Sequence, residues 1–72
     1  MKRLLNTLYI TSSDRYLSLD GENVVVQCGK EEEGRIPLNN IEAIVKCGMT
    51  GASTDLMGAC AKRNIGLSFL TG

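Results

Sequence analysis

Histidine and tryptophan are absent from this 72-residue chain, and proline occurs once. The missing histidine is the most restrictive of these facts. It removes imidazole general bases, histidine-centred catalytic triads and imidazole metal ligands together. Aromatic residues are only 4% of the chain, so Tyr9 and Tyr16 are read first as packing residues, not as stacking platforms for nucleic-acid bases. The three cysteines, Cys28, Cys47 and Cys60, form no CxxC pair, which leaves a zinc knuckle or a dithiol redox motif without support. Buried, reduced thiols are expected instead. No apolar run approaches the ~18 residues of a membrane span. The apolar start after Met1-Lys2-Arg3 is broken by Asn6, Thr7 and Ser12-Ser13-Asp14 before a signal-peptide core can form, so a cytoplasmic location is expected. Eight basic residues balance eight acidic ones. A free-standing basic nucleic-acid module, which depends on a net positive footprint, is disfavoured.

What is present fits one small folded unit, residues 1–72. Leu, Ile, Val and Phe supply 19 of the 72 positions, above the regime of disordered chains. A core of this size yields only roughly 3–5 kcal/mol unless it is stapled, bound to metal or extended by a partner subunit. Charge is uneven: residues 21–45 carry two basic and five acidic side chains, mostly through Glu31-Glu32-Glu33. Flanked by Gly29 and Gly34, that run is expected to be a solvated hairpin turn.

The first half reads as strands. Residues 4–10 are apolar and β-preferring, and end at the polar stretch 11–14. Leu17 and Leu19 alternate with Ser18 and Asp20, the half-buried pattern. Asp20-Gly21 is a hairpin signal, and Val24-Val25-Val26 returns as a strand running to Cys28. Arg35-Ile36-Pro37-Leu38 is expected as a short strand, with Pro37 confining it to an edge or a strand end. Asn39-Asn40 turns the chain into a further strand over 41–47, apolar on both faces.

The period then changes. Ser53 is a plausible N-cap, Asp55 lies in the first turn, and Leu56, Ala59 and Cys60 recur at i, i+3 and i+4. Lys62 and Arg63 occupy the last turn and Asn64 can take the left-handed cap, which predicts a helix over 54–63. Ile65, Leu67 and Phe69 alternate as a final strand. A strand so close to Gly72 suggests a domain whose natural chain continues. The expected fold is α+β and mainly β: about six short strands, arranged as two hairpins and a strand–helix–strand crossover, with one helix.

Few residues offer chemistry. Asp14, Asp20, Glu22 and Glu42 fall at turns or strand starts, where solvation and turn hydrogen bonds account for them. The most site-like segment is Gly48-Met49-Thr50-Gly51-Ala52-Ser53, between a strand and a helix, where Thr50, Gly51 and Ser53 could meet an anion or DNA phosphate. It lacks the Lys-Ser/Thr ending of a phosphate-binding loop.

In order and spacing, the segments resemble a known family. Residues 6–10 and Tyr16–Val26 look like the N-terminal domain of the CRISPR-associated spacer-acquisition integrase. Arg35–Val45 is similar to the family's IPL-x-N-[IL]-E-x-[IV]-V stretch. Gly48–Ser53, Leu56–Ala61 and Gly66–Leu70 continue the match, which is closest to the form of type I subtype C systems. The resemblance implies that catalysis, by Glu, His and Asp with Mg²⁺ or Mn²⁺, belongs to a larger helical domain absent from this chain. No catalytic residue, metal ligand or cofactor is therefore assigned here. It also implies a β-rich domain that forms a homodimer, contacts captured double-stranded DNA and helps to build a complex with a small adaptation partner protein. The family's DNA-bracing tyrosine is not carried over to Tyr9 or Tyr16.

Two functions follow as expectations. The first is a non-catalytic dimerisation and DNA-contacting domain, with its dimer surface on Leu17, Leu19, Val24, Val25 and Val26, where a small core would gain most from a second copy. The second is a complete small protein that binds an anion or nucleotide at the Gly48–Ser53 turn.

Overall fold

A computed structural model describes residues 2–4, 6–48 and 51–70. Within them the chain is mainly β: seven strands in two sheets, with one α-helix. Strands β1 (Lys2–Leu4) and β2 (Thr7–Ile10) form a hairpin. Strands β3 (Arg15–Asp20), β4 (Asn23–Cys28) and β5 (Glu31–Pro37) form an antiparallel meander. A single 3₁₀ turn, Leu38–Asn40, leads to β6 (Ala43–Cys47), and helix α1 (Thr54–Lys62) to β7 (Gly66–Leu70). The strand order is β1-β2-β6-β7 in one sheet and β3-β4-β5 in the other. β6 runs parallel to both β2 and β7, so the α1 connection is the expected strand–helix–strand unit.

β6 begins at Ala43, not at Ile41, and three further boundaries differ from the sequence reading, each for a local reason. The stretch 4–10 is two strands, because the chain reverses near Asn6 and pairs Leu4 with Thr7. The acidic run is not a turn. Gly29 takes φ +63° and the reversal is completed by Gly29-Lys30, so Glu31, Glu32 and Glu33 are exposed residues of β5. Their charges suit an edge strand that faces water. Helix α1 ends one residue early, with Arg63 as C-cap and Asn64 in the left-handed region at φ 56°.

The core lies between the two sheets and α1. Leu8, Ile10 and Ile44 enter it from the larger sheet, Leu17, Val24 and Val26 from the smaller, and Leu56 and Cys60 from the helix. Cys60 is the one fully sequestered thiol among the three free cysteines; Cys47 is half-buried and Cys28 exposed, contrary to the expectation of three buried thiols. Cys28 stands at the end of β4, where the alternation meets the turn and the core stops. Burial raises the Cys60 thiol pKa above the ordinary range, an effect Arg63 partly opposes, which keeps it protonated and inert.

One member of the inner layer is unexpected. Lys46, on the same face of β6 as Ile44, is 0% exposed. Its Nζ donates to the carbonyl of its neighbour Cys47 at 3.0 Å, and no carboxylate pairs with it among the described residues. Removing an ammonium from water costs several kcal/mol, and one carbonyl acceptor offsets only part of that. Lys46→Met keeps the length of the side chain and removes the amine. Urea unfolding should show it more stable than the native chain by about 1–4 kcal/mol; a loss of stability would mean that the amine's contacts outweigh its desolvation.

Candidate functional site

The turn between β6 and α1 is where the two sheets meet. The Gly48 amide donates to the Leu70 carbonyl at 2.7 Å, which holds the end of β6 to β7. On the far side of the turn the Leu17 amide donates to the Gly51 carbonyl at 2.5 Å, and the Ser53 amide to the Leu17 carbonyl at 2.9 Å. Leu17 and Ala52 thereby form a parallel bridge, so residues 51–53 lie along the outer edge of β3. The Ser53 hydroxyl oxygen accepts from the Leu56 amide at 3.2 Å and caps α1. Asp55, in the first turn, adds the favourable charge there.

Gly51 makes this seam possible. Its φ is +93°, and a Cβ there would stand 2.7 Å from the Arg15 carbonyl oxygen and 3.2 Å from Lys46 Cε and Nζ. The turn therefore closes over the buried amine at a distance that only glycine permits. This also bears on the anion reading. The Gly51 carbonyl, the Ser53 amide and the Ser53 hydroxyl are already bonded within the chain, and Lys46, the cation nearest in sequence, is sealed beneath them. Thr50 lies outside the described residues. An anion or nucleotide site at Gly48–Ser53 is not favoured.

The five residues expected to form a dimer surface are occupied in a different way. Leu17, Val24 and Val26 are 0% exposed within a single chain, and Leu19 packs against the same core. Val25 points to the opposite face of the smaller sheet and is also buried, beside its register partners Ser18 and Arg35. Alternation shows which residues share a face but not what covers that face, and here the larger sheet and α1 cover it. A contact with a second copy must be sought elsewhere.

The charged groups are mostly tied to each other. Arg35 bridges Asp20 at 2.5 Å and Glu32 at 3.0 Å across the outer face of the smaller sheet. Its hydrogen bond holds the Glu32 carboxyl below the usual carboxylate range. Arg15 reaches Asp14 at 2.6 Å and Glu33 at 3.0 Å, and Arg63 reaches Glu22 at 3.3 Å. These exposed pairs contribute little to stability, but they leave three arginines already neutralised. The Arg63–Glu22 pair flanks an open groove of about 570 Å³ between the β3–β4 turn and α1, lined by Leu19, Gly21, Asp55, Gly58 and Lys62 among others. Sequence reasoning did not anticipate this groove, because its two walls are more than thirty positions apart. Tyr16 is 44% exposed and Tyr9 half-buried, on separate sheets. Among the described residues no three carboxylates or thiols converge as a metal cage.

Two glycines test the seam. Gly51→Ala places a methyl group against the Arg15 carbonyl in a left-handed backbone, and should lower unfolding free energy by roughly 2–4 kcal/mol. Gly58, on an exposed position of α1 with open space around its Cβ position, is the control: Gly58→Ala should raise stability by about 0.5–1 kcal/mol through helix propensity. Equal effects of the two changes in thermal or urea unfolding would refute the role assigned to Gly51.

Residues 8–72 match the protein-family model for CRISPR associated protein Cas1. The chain is 43% identical over 70 residues to CRISPR-associated endonuclease Cas1 2 of Rhodospirillum rubrum, and 41% identical over 71 residues to CRISPR-associated endonuclease Cas1 1 of Chlorobaculum tepidum. These alignments cover 97% and 99% of this chain but 20% and 21% of the relatives. The chain thus spans about a fifth of the length of the curated relatives it matches. A solved chain from a "Partial Cas6-RT-Cas1--Cas2 complex" superposes with a TM-score of 0.83 over 90% of this chain and 20% of that one, at 14% identity, a likeness of fold alone. Since the family match takes in nearly every residue from the start of β2 onward, the chain belongs to the CRISPR associated protein Cas1 family.

Proposed function

We propose that this chain is a non-catalytic assembly domain of a Cas1-type spacer-acquisition integrase, acting in the cytoplasm. In that role it pairs with a second copy, lies against captured double-stranded DNA, and helps to seat a small adaptation partner protein. Metal-dependent cutting and joining of DNA, with Mg²⁺ or Mn²⁺, are assigned to the part of the longer protein that this chain does not represent. The observation that carries the reading is the match over residues 8–72, in a chain that spans only a fifth of relatives named as endonucleases. The electrostatics agree with a supporting role. A chain of zero net charge, with Arg15, Arg35 and Arg63 held by carboxylates, has little free positive surface to bind DNA unaided.

Two measurements test this. Purified chain incubated with branched or duplex DNA and Mg²⁺ or Mn²⁺ should leave the DNA intact. Reproducible cutting that a Glu→Gln change such as Glu42→Gln abolishes would overturn the assignment of catalysis elsewhere. In fluorescence anisotropy at physiological salt, the chain alone should bind a labelled duplex no more tightly than about 10⁻⁶ M, the tight end of non-specific affinity. Tighter binding would mean that the domain holds DNA by itself.

A further inference from the structure

Apart from the groove beside α1, the surface holds a second pocket of about 280 Å³, lined by Asn6, Asn39, Asn40 and Glu42. The fold gathers these residues from three places. Asn6 stands in the turn between β1 and β2, Asn39 and Asn40 in the 3₁₀ turn, and Glu42 just before β6. Backbone bonds keep them together. The Glu42 amide donates to the Asn6 carbonyl at 2.8 Å, and the Glu42 carbonyl accepts from the Gly66 amide at 3.1 Å. On either side of the asparagine pair, Leu38 and Ile41 are sunk in the core, which leaves Asn39 and Asn40 at the surface.

The lining is polar throughout, and its one charge is negative. Asp14, Asp20, Glu22, Glu32 and Glu33 are each bridged by an arginine, whereas Glu42 has no ion pair among the described residues. Asn6 and Asn39 add carboxamide oxygens that accept hydrogen bonds, and Asn40 completes the wall. Such a set repels a phosphate and attracts a cation. A bare divalent metal ion would need about six or more oxygens drawn in to roughly 2.0–2.6 Å. A pocket this wide, with a single carboxylate, does not supply them. An ammonium group is a compact and strongly hydrated point charge. A guanidinium is planar, more weakly hydrated, and holds its N–H donors in a fixed fork, which matches both oxygens of a carboxylate and acceptors spread over neighbouring residues.

We propose that this pocket receives an arginine side chain presented by another protein. The guanidinium would pair in bidentate fashion with the Glu42 carboxylate and donate its remaining N–H groups to the Asn6 and Asn39 carboxamide oxygens. The backbone on both sides of Glu42 is already bonded before a partner arrives, so binding has little of the site left to order. The contact needs neither a second copy of this chain nor DNA. It is therefore independent of the pairings proposed above.

The test titrates the ¹⁵N-labelled chain in turn with N-acetyl-arginine amide, N-acetyl-lysine amide, CaCl₂ and deoxyguanosine monophosphate, read by heteronuclear NMR. The arginine probe should move the Glu42 amide signal and the carboxamide signals of Asn6 and Asn39 saturably, and should bind more tightly than the lysine probe. Glu42→Gln keeps the size of an exposed side chain and removes its charge. It should leave the circular dichroism unchanged and weaken the arginine probe about tenfold or more, the loss that goes with a hydrogen bond to a charged group. The absence of a saturable shift with the arginine probe, equal affinity for the lysine probe, or unchanged affinity in Glu42→Gln would each overturn the proposal. Saturation of these signals by CaCl₂ or by deoxyguanosine monophosphate, with the arginine probe inactive, would overturn it in favour of a metal ion or a nucleotide. None of these outcomes touches the family assignment, which rests on the match over residues 8–72.

Discussion

The close approach of Gly51 to the end of β3 is the constraint on which the rest of the structure depends. The two sheets share no ladder between named strands; at Leu17 the smaller sheet is tied to the segment that leads from β6 into α1. The bonds run through the backbone of Leu17, whose side chain is itself fully buried, so the tie sets residues 51–53 against β3 immediately before α1 begins. It also seals Lys46. A β-carbon at position 51 would strike the Arg15 carbonyl before either bond could form, so one missing side chain allows the sheets, the helix and the buried amine to coexist.

The arrangement accounts for what such a domain can and cannot do. Its polar groups are spent on holding it together: arginines on carboxylates, the turn on β3, Ser53 on the helix cap. A small domain whose core is closed by its own two sheets and helix suits attachment. That is the role proposed for it within the Cas1 family, and it separates two physical demands. Catalysis needs partly desolvated, perturbed groups, whereas assembly needs a rigid edge of known register.

Much of the fold was legible in the sequence because its signals are local. Asp20-Gly21 predicted the β3–β4 turn, the spacing of Leu56 and Cys60 the helix face, and Asn64 the left-handed cap, each through the steric preferences of a few adjacent residues. The acidic run misled for the same reason. Three exposed glutamates satisfy a turn and an edge strand equally well, and only pairing with β4 separates the two. The family was legible from the order of the segments, which is a property of the linear chain and needs no tertiary contact.

The candidate sites were legible only in part, because a site is made by residues distant in sequence. The Leu17–Val26 hairpin has one apolar face in any reading, but whether that face meets a second copy or the chain's own core depends on where β6 and α1 come to rest. The Gly48–Ser53 turn has the composition of an anion loop, and tertiary bonds engage its Gly48 amide with β7 and its Ser53 amide and Gly51 carbonyl with β3. By itself, then, the sequence determined strand and helix identity, most turn positions, the absence of histidine chemistry and the family, because each rests on local sterics, composition or linear spacing. Tertiary structure alone decided that Lys46 is buried, that Gly51 must have no side chain, and that the apolar hairpin is core, since burial is a property of what packs against a residue and not of the residue itself.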